Sequence, residues 1–397
     1  MGSQTPRSGK RVVLSGYYGF DNSGDEAVLQ SILLALQEQG EAAGVRIQPV
    51  VLSANPQRTT EMYGVEAVHR MKIPDLFGAI RSSDGLISGG GSLLQDATSS
   101  RTIPYYLLVL KLAQWLRKPT FIYSQGVGPV NNRRFYSWIR STFKKCAIIS
   151  VRDQESAELL GTMGVPASSV RVVPDPVMGL PLRSAEAGGA ESDSSSVHQS
   201  PLTAGRAAPT SDDGARSAVP VIGVSVRYWN TDRSELDALA EALRVLMSRR
   251  QVQVRLLPFH LPSDEEASAY VADRIGPQGE GQDVRIVSGV THPQDMLAEV
   301  SACDVLVGMR LHSLIYAASQ FVPMVGVSYD PKIDQFLARL GMVAAASTKQ
   351  FDPAAVAAEI ERLLDGRGAW AAEKKAAIDR LKQEAQQPAQ QIVQYYR

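Results

Sequence analysis

The chain has 397 residues, enough for two domains that each bury a core. Its 41 Lys and Arg balance its 41 Asp and Glu, which argues against a nucleic-acid-binding protein while leaving room for a local basic patch. Two cysteines, Cys146 and Cys303, cannot build a disulfide framework, and the five histidines show no metal-ligand spacing, so no metal is expected.

Met1–Lys10 lacks the apolar core of a signal peptide, and no stretch reaches the length of a membrane span. The expectation is a cytoplasmic protein that can touch a membrane from its inner face. Arg11–Ser15 reads as the first strand, Gly16–Glu26 as the loop behind it, and Ala27–Gln39 as an amphipathic helix. Asp25 and Glu26 fall at the helix start, where the helix dipole favours acids. Gly16, Gly19 and Gly24 do not match the dinucleotide fingerprint, so no nicotinamide or flavin cofactor is expected.

Further strands are read at Arg46–Ser53, Leu86–Ser88, Thr120–Tyr123 and Ala147–Val151. Gly89, Gly90 and Gly91 follow one of them. Such a triplet either lets backbone approach a ligand or makes a plain tight turn. Arg152 follows another strand end, where it can meet an anion or pair with Asp153 or Glu155.

Between Asp96 and Asp153 there is no acidic residue. Tyr105–Trp115 reads as a core helix with a solvated basic side. Arg133, Arg134, Arg140, Lys144 and Lys145, interleaved with aromatics, suit anionic headgroups or a diphosphate. Leu182–Pro220 is rich in Ser, Ala, Gly, Pro and acids and is too poor in large apolar residues to order itself. It is expected to be a flexible linker or insertion, and His198 within it is not expected to be catalytic.

The second half alternates strand and helix. Strands are read at Val221–Val226, Gln253–Leu257, Val284–Val287, Asp304–Gly308 and Pro323–Ser328. Helices are read at Glu235–Arg249, Pro293–Ala302, Ser313–Ser319, Pro353–Leu364 and Ala372–Gln386, with Gly366 and Gly368 breaking the chain before the last. This alternation implies a parallel sheet. The strand ends deliver Arg227, His260, Arg310, His312 and Lys332 to the edge where open α/β sheets bind ligands. Arg310, His312 and Lys332 suit a small, multiply anionic substrate and a proton donor. Alternatively, Arg310 pairs with a structural carboxylate and His312 fills a polar gap.

The strings GYYGFDNSGDE, LISGGGSLLQD, YSQGVGP and VGMRLHSLIYAASQFVPMVGVSYDPKID resemble the signature of the polysaccharide pyruvyl transferases, most closely their CsaB-type members. The matches span nearly the whole chain outside residues 183–219. The resemblance implies an α/β, GT-B-like fold of two Rossmann-like domains with parallel sheets facing across a cleft. It divides the chain into 1–181 on the acceptor side, a linker at 182–219, a donor domain at 220–370, and a helix at 371–397 returning to the first domain. It implies transfer of the enolpyruvyl group of phosphoenolpyruvate onto a sugar hydroxyl pair, leaving a cyclic pyruvate ketal. CsaB-type members act on N-acetylmannosamine in a lipid-diphosphate-linked wall precursor, and surface-layer protein domains recognise the product. Phosphoenolpyruvate is then a substrate and no cofactor is needed.

In that reading Arg152, Arg227, His260, Arg310 and Lys332 bind the donor, and Arg310, His312 and Lys332 carry the chemistry, with His312 as proton donor or phosphate ligand. Asp21, Asn22, Asp25 and Glu26 face the acceptor. Asp21, Asp25 and His260 all remain open as the base. A nucleotide-sugar glycosyltransferase of the same fold and a non-catalytic sugar-binding protein are the competing readings.

Overall fold

The computed structural model describes residues 9–97, 99, 101–183, 219–277 and 281–397. Two compact units share the chain: Met1–Leu180 with Asp379–Arg397, and Pro181–Ile378. The expected linker, with His198, lies almost wholly outside the described residues.

The first unit carries β1 (Lys10–Tyr18), β2 (Ile47–Ser53), β3 (Glu66–His69), β4 (Gly85–Gly89), β5 (Thr120–Gln125), β6 (Ile148–Val151) and β7 (Val170–Val172). They form one sheet in the order β3-β2-β1-β4-β5-β6-β7, with every pair parallel. The connecting helices are α1 (Ser23–Ala43), α2 (Pro56–Tyr63), α3 (Ile73–Arg81), α4 (Thr102–Trp115), α5 (Arg134–Phe143) and α6 (Gln154–Thr162). β4 and β5 are buried along their whole length, as strands covered by helices on both faces must be.

The second unit repeats the plan. β8 (Val221–Ser225), β9 (Gln253–Leu256), β10 (Asp283–Ile286), β11 (Val305–Gly308), β12 (Met324–Ser328) and β13 (Ala346–Ser347) align in the order β10-β9-β8-β11-β12-β13, again all parallel. Its helices are α7 (Ser234–Arg249), α8 (Ser263–Ile275), α9 (Pro293–Ser301), α10 (Leu311–Ser319), α11 (Pro331–Arg339) and α12 (Pro353–Asp365). In both sheets the strand order reverses direction beside the first strand, at β1/β4 and at β8/β11. An open sheet of this kind leaves a crevice at the strands' carboxyl ends there.

α13 (Arg367–Ala385) carries the chain past residue 378, and α14 (Gln387–Tyr396) belongs to the first unit. There the Tyr396 hydroxyl donates to the Asp84 carbonyl at 3.2 Å, and the Tyr395 ring meets Phe121 edge-on at 5.2 Å.

Several elements depart from the sequence reading. β1 runs to Tyr18 and breaks register with β2 between Ser15 and Tyr18, so the expected loop begins later. The reason is Tyr18 itself, which is buried and donates its hydroxyl to the Gly89 carbonyl at 2.9 Å. α1 starts at Ser23 because the Asn22 side chain caps it, accepting from Gly24 N–H at 3.1 Å. Gly368 does not break the chain but lies inside α13. The edge strands β3, β7 and β13 have only four, three and two residues, too few to leave an apolar run.

Among the described residues no helix is long and apolar enough to cross a membrane, and no group of three or more His, Cys, Asp or Glu is placed to hold a metal ion. Burial pushes both cysteine thiols up to about 12, so both behave as inert small apolar groups.

Candidate active site

In the second unit, four strand ends supply the polar groups. Behind β8, Arg227 donates from Nη1 to the Tyr329 hydroxyl at 2.8 Å. Its guanidinium lies 4.7 Å from the Tyr329 ring centre and 5.3 Å from that of Trp229. Trp229 and Tyr329 themselves lie 4.5 Å apart. The turn is held from below by buried Glu235, whose Oε1 accepts the N–H groups of Trp229 at 2.8 Å and Asn230 at 3.1 Å. This stacked, half-buried guanidinium is fixed in orientation, as a planar anion receptor should be.

Behind β9 comes His260, half-buried, with Asp264 in the first turn of α8. Asp264 is fully buried. Its Oδ2 accepts the N–H groups of Phe259 at 3.2 Å and His260 at 3.0 Å. Behind β11, Arg310 stands at the N-cap of α10 and pairs with both carboxylate oxygens of Asp264, Nε donating at 2.9 Å. The structural-carboxylate alternative for Arg310 is thus realised, and it fixes the guanidinium at the strand end.

His312 follows in the first turn of α10, half-buried, and Gly308 lets that helix pack tightly. A Cβ on Gly308 would meet Ser313 Oγ at 2.7 Å and Leu314 at 2.8 Å. Behind β12, Tyr329 precedes Asp330, which caps α11 by accepting Lys332 N–H at 3.0 Å. The Lys332 ammonium lies 3.8 Å from Asp330. Arg227, Arg310, His312 and Lys332 therefore all stand at carboxyl ends around the β8/β11 reversal, together with the amino ends of α10 and α11.

In the first unit, Asn22 serves as the cap described above. Asp21, with φ of 55°, forms an ion pair with Arg58. Glu26 is buried and accepts Gly19 N–H and the Tyr63 hydroxyl, both at 2.7 Å. Burial pushes its carboxyl up, against these two hydrogen bonds and the Arg58 charge. Asp25 is half-buried, and its Oδ1 lies 3.0 Å from where a Cβ on Gly91 would stand.

Arg152 is buried. It donates to Ser92 Oγ at 2.7 Å and pairs with Asp175 at 3.4 Å and Asp153 at 3.5 Å, so the Asp153 alternative is met and Asp175 is added. A Cβ on Gly126 would touch this guanidinium at 3.0 Å. The glycine-rich turn between Asp25 and Arg152 is therefore one where backbone must come close.

Beside Asp25 stands an aromatic cluster. The rings of Tyr17 and Phe20 stack at 4.0 Å. Arg70 donates to the Gly16 carbonyl at 3.0 Å and the Tyr106 hydroxyl at 3.3 Å, and lies 4.5 Å from the Tyr105 ring centre. Burial pushes the Tyr17 phenol up, the Asp25 charge adds to this, and Arg70 opposes it.

The partners of these groups are set by the fold and not by local sequence. Asp264 lies 46 residues from Arg310, and Ser92 lies 60 from Arg152, so no local pattern links them. Arg70 carried no signal, because it follows an edge strand with no apolar run. Tyr329 and Glu235 could have been suspected from their positions at a strand end and a helix start.

Two parallel α/β sheets of this order place the chain in a class whose solved members include GT-B-fold epimerases and glycosyltransferases. A glycosyltransferase from Rickettsia africae superposes with a TM-score of 0.61 at 11% identity, covering 98% of each chain. Anabaena HepE in complex with UDP and glucose gives 0.58 at 12% identity, covering 98% of this chain and 99% of its own. UDP-GlcNAc 2-epimerase from Neisseria meningitidis bound to UDP-GlcNAc gives 0.56 at 11% identity, covering 92% and 94%. No curated protein matches the chain. The sequence model of the family described as polysaccharide pyruvyl transferase matches residues 22–331, and the chain belongs to that family of transferases.

Proposed function

We propose that the protein transfers the enolpyruvyl group of phosphoenolpyruvate to a hydroxyl pair of a sugar, forming a cyclic pyruvate ketal and releasing phosphate. The acceptor is proposed to be N-acetylmannosamine in a lipid-diphosphate-linked wall precursor, as in CsaB-type members of the family, made in the cytoplasm for later recognition by surface-layer domains. The observation that carries the reading is the gathering of Arg227, Arg310, His312 and Lys332 around one strand-order reversal. Arg310 keeps Asp264 as its counter-ion and Lys332 has Asp330 beside it, so what the set offers is several oriented N–H donors together with a histidine able to give a proton.

In this reading the planar guanidinium groups of Arg227 and Arg310 hold the donor's carboxylate and phosphate, with Lys332 adding a point charge and His260 a hydrogen bond. Arg152 is assigned to the donor by family resemblance. His312 protonates C3 of the enol, which becomes a methyl group and leaves C2 electrophilic. A sugar hydroxyl bonds to C2 and loses its proton to a base. The C2–O bond to phosphate breaks, and the second hydroxyl closes the ring, losing its own proton. Asp25 is assigned as the base, since it flanks the Gly91 approach, while Asp21, Asn22 and Glu26 shape the turn that presents it. No cofactor is required.

The test is incubation with phosphoenolpyruvate and a short mannosaminyl lipid-diphosphate analogue, following phosphate and the acceptor's mass. The expected product is heavier by pyruvate less one water. Transfer of sugar from a nucleotide donor, or acceptor binding without phosphate release, would refute the reading. His312→Ala is expected to lower turnover on the order of 10²-fold or more. His312→Gln separates the two roles, because rescue by an amide fits a phosphate ligand and not a proton donor.

A further inference from the structure

We propose that the first unit carries a docking face for an anionic lipid surface, built from the exposed apolar side chains Met71, Ile73, Leu108 and Trp115 beside the basic outer side of α5. Met71 is 64% exposed, Ile73 76%, Leu108 57% and Trp115 75%. One such exposed side chain is ordinary, and it is their grouping beside a basic helix that points to a partner.

The four are linked into one region. Leu108 and Trp115 are seven residues apart on α4 and so share a face. Lys111 lies between them on that face, and its ammonium reaches Ser141 Oγ of α5 at 3.3 Å. At the other end of α4, the Tyr105 hydroxyl donates to the Arg70 carbonyl at 3.1 Å, tying in the turn that bears Met71 and Ile73.

α5 buries Ile139, Thr142 and Phe143 and turns the other way Arg134 and Arg140, followed by Lys144 and Lys145, all exposed. Neither α4 nor α5 contains an acid. Separate apolar anchors flanked by bases match an interface of acyl chains beneath anionic headgroups. Trp is the side chain that best spans such a boundary, and the charge matches only an acidic surface.

The test is co-sedimentation of the full chain with phosphatidylcholine vesicles, with and without phosphatidylglycerol, at low and high salt. Expected are binding to the anionic vesicles, little to the neutral ones, and weakening by salt. Leu108→Ala with Trp115→Ala should weaken binding about tenfold or more. Replacing Arg134, Arg140, Lys144 and Lys145 by Gln should weaken it at low salt on the order of 10³-fold.

Because all six side chains are exposed, melting temperatures should hold, which excludes misfolding as the cause. Failure to bind anionic vesicles, equal binding to neutral ones, or wild-type binding by both variants would overturn the proposal. So would self-association without vesicles that is lost in Trp115→Ala, which would assign the face to a second copy. No phosphoenolpyruvate or sugar enters the assay, so it stands or falls apart from the pyruvyl-transfer reading.

Discussion

Arg310 grips the buried carboxylate of Asp264 with two prongs, and the same carboxylate takes the N–H groups of Phe259 and His260. One acid thus sets both the guanidinium behind β11 and the turn behind β9. In Asp264→Asn the size is kept, but Arg310 loses its counter-charge and one prong has no acceptor. A fully buried pair broken this way costs about 3–5 kcal/mol, and here about 2–3 kcal/mol is expected, because Arg310 keeps some contact with solvent. Urea unfolding should show it as a lowered midpoint. Arg310→Lys should keep more of the stability but raise the KM for phosphoenolpyruvate, since an ammonium cannot reproduce the planar fork.

Tyr329 tests the other guanidinium. Tyr329→Phe removes the oxygen that Arg227 reaches at 2.8 Å while leaving the ring beside Trp229. Stability should change by about 1 kcal/mol or less. If Arg227 binds the donor as proposed, the KM for phosphoenolpyruvate should rise several-fold with a smaller change in kcat, because the hydroxyl orients that guanidinium. Steady-state kinetics with the donor varied would decide it. An unchanged KM would show that the Tyr329 hydroxyl does not set Arg227 for donor binding.

The parallel sheets were legible because β4, β8, β11 and β12 are short apolar runs closed by Gly, Arg or Tyr, and buried parallel strands must look like that. The cations at the strand ends followed from the same pattern. The carboxylates that hold them were not legible. Asp264 and Asp175 come from distant segments, and only the fold brings them to Arg310 and Arg152. In the loop behind β1 the sequence showed only that Asp25 and Glu26 fall at a helix start. In the structure that loop divides by depth, with Glu26 beneath Gly19, Asn22 committed to a cap, and Asp25 beside Gly91.

Gly91 sets how close Asp25 can lie. It has φ of +65°, and an added Cβ would stand 3.0 Å from Asp25 Oδ1. Gly91→Ala should cost about 1 kcal/mol of backbone strain and also push the Asp25 carboxylate aside. Turnover is expected to fall at least tenfold, with donor affinity retained. Gly44→Ala is the control. Its φ of +68° brings similar strain, but it has open space around it, at the C-cap of α1. Equal loss of stability in both variants with loss of turnover only in the first would tie the effect to Asp25.

Glu26 carries the pH dependence of this loop. Its carboxyl is pushed above its ordinary value, first by burial, while the hydrogen bonds from Tyr63 and Gly19 and the Arg58 charge pull the other way. The folded chain therefore holds this proton more tightly than the unfolded chain. Stability from this group is full below the ordinary carboxyl value, near pH 4.5, and declines as pH rises through the elevated folded value. Glu26→Gln cannot ionise. Its amide oxygen can still take the Gly19 N–H, and the Tyr63 hydroxyl can turn to accept from the amide nitrogen. The unfolding free energy of the wild type minus that of Glu26→Gln should thus fall between about pH 4 and the folded value and level off above it, by about 1.4 kcal/mol for each unit of elevation. Urea unfolding at intervals from about pH 4 to pH 8 would measure it. A flat difference would show that folding does not shift this carboxyl, and one that grows with pH would show the carboxylate to be favoured in the fold; either would overturn the assignment of Glu26 as a buried, proton-holding group. In the expected case the acceptor KM of Glu26→Gln stays close to that of the wild type, and the loop's contact with sugar rests on Asp25.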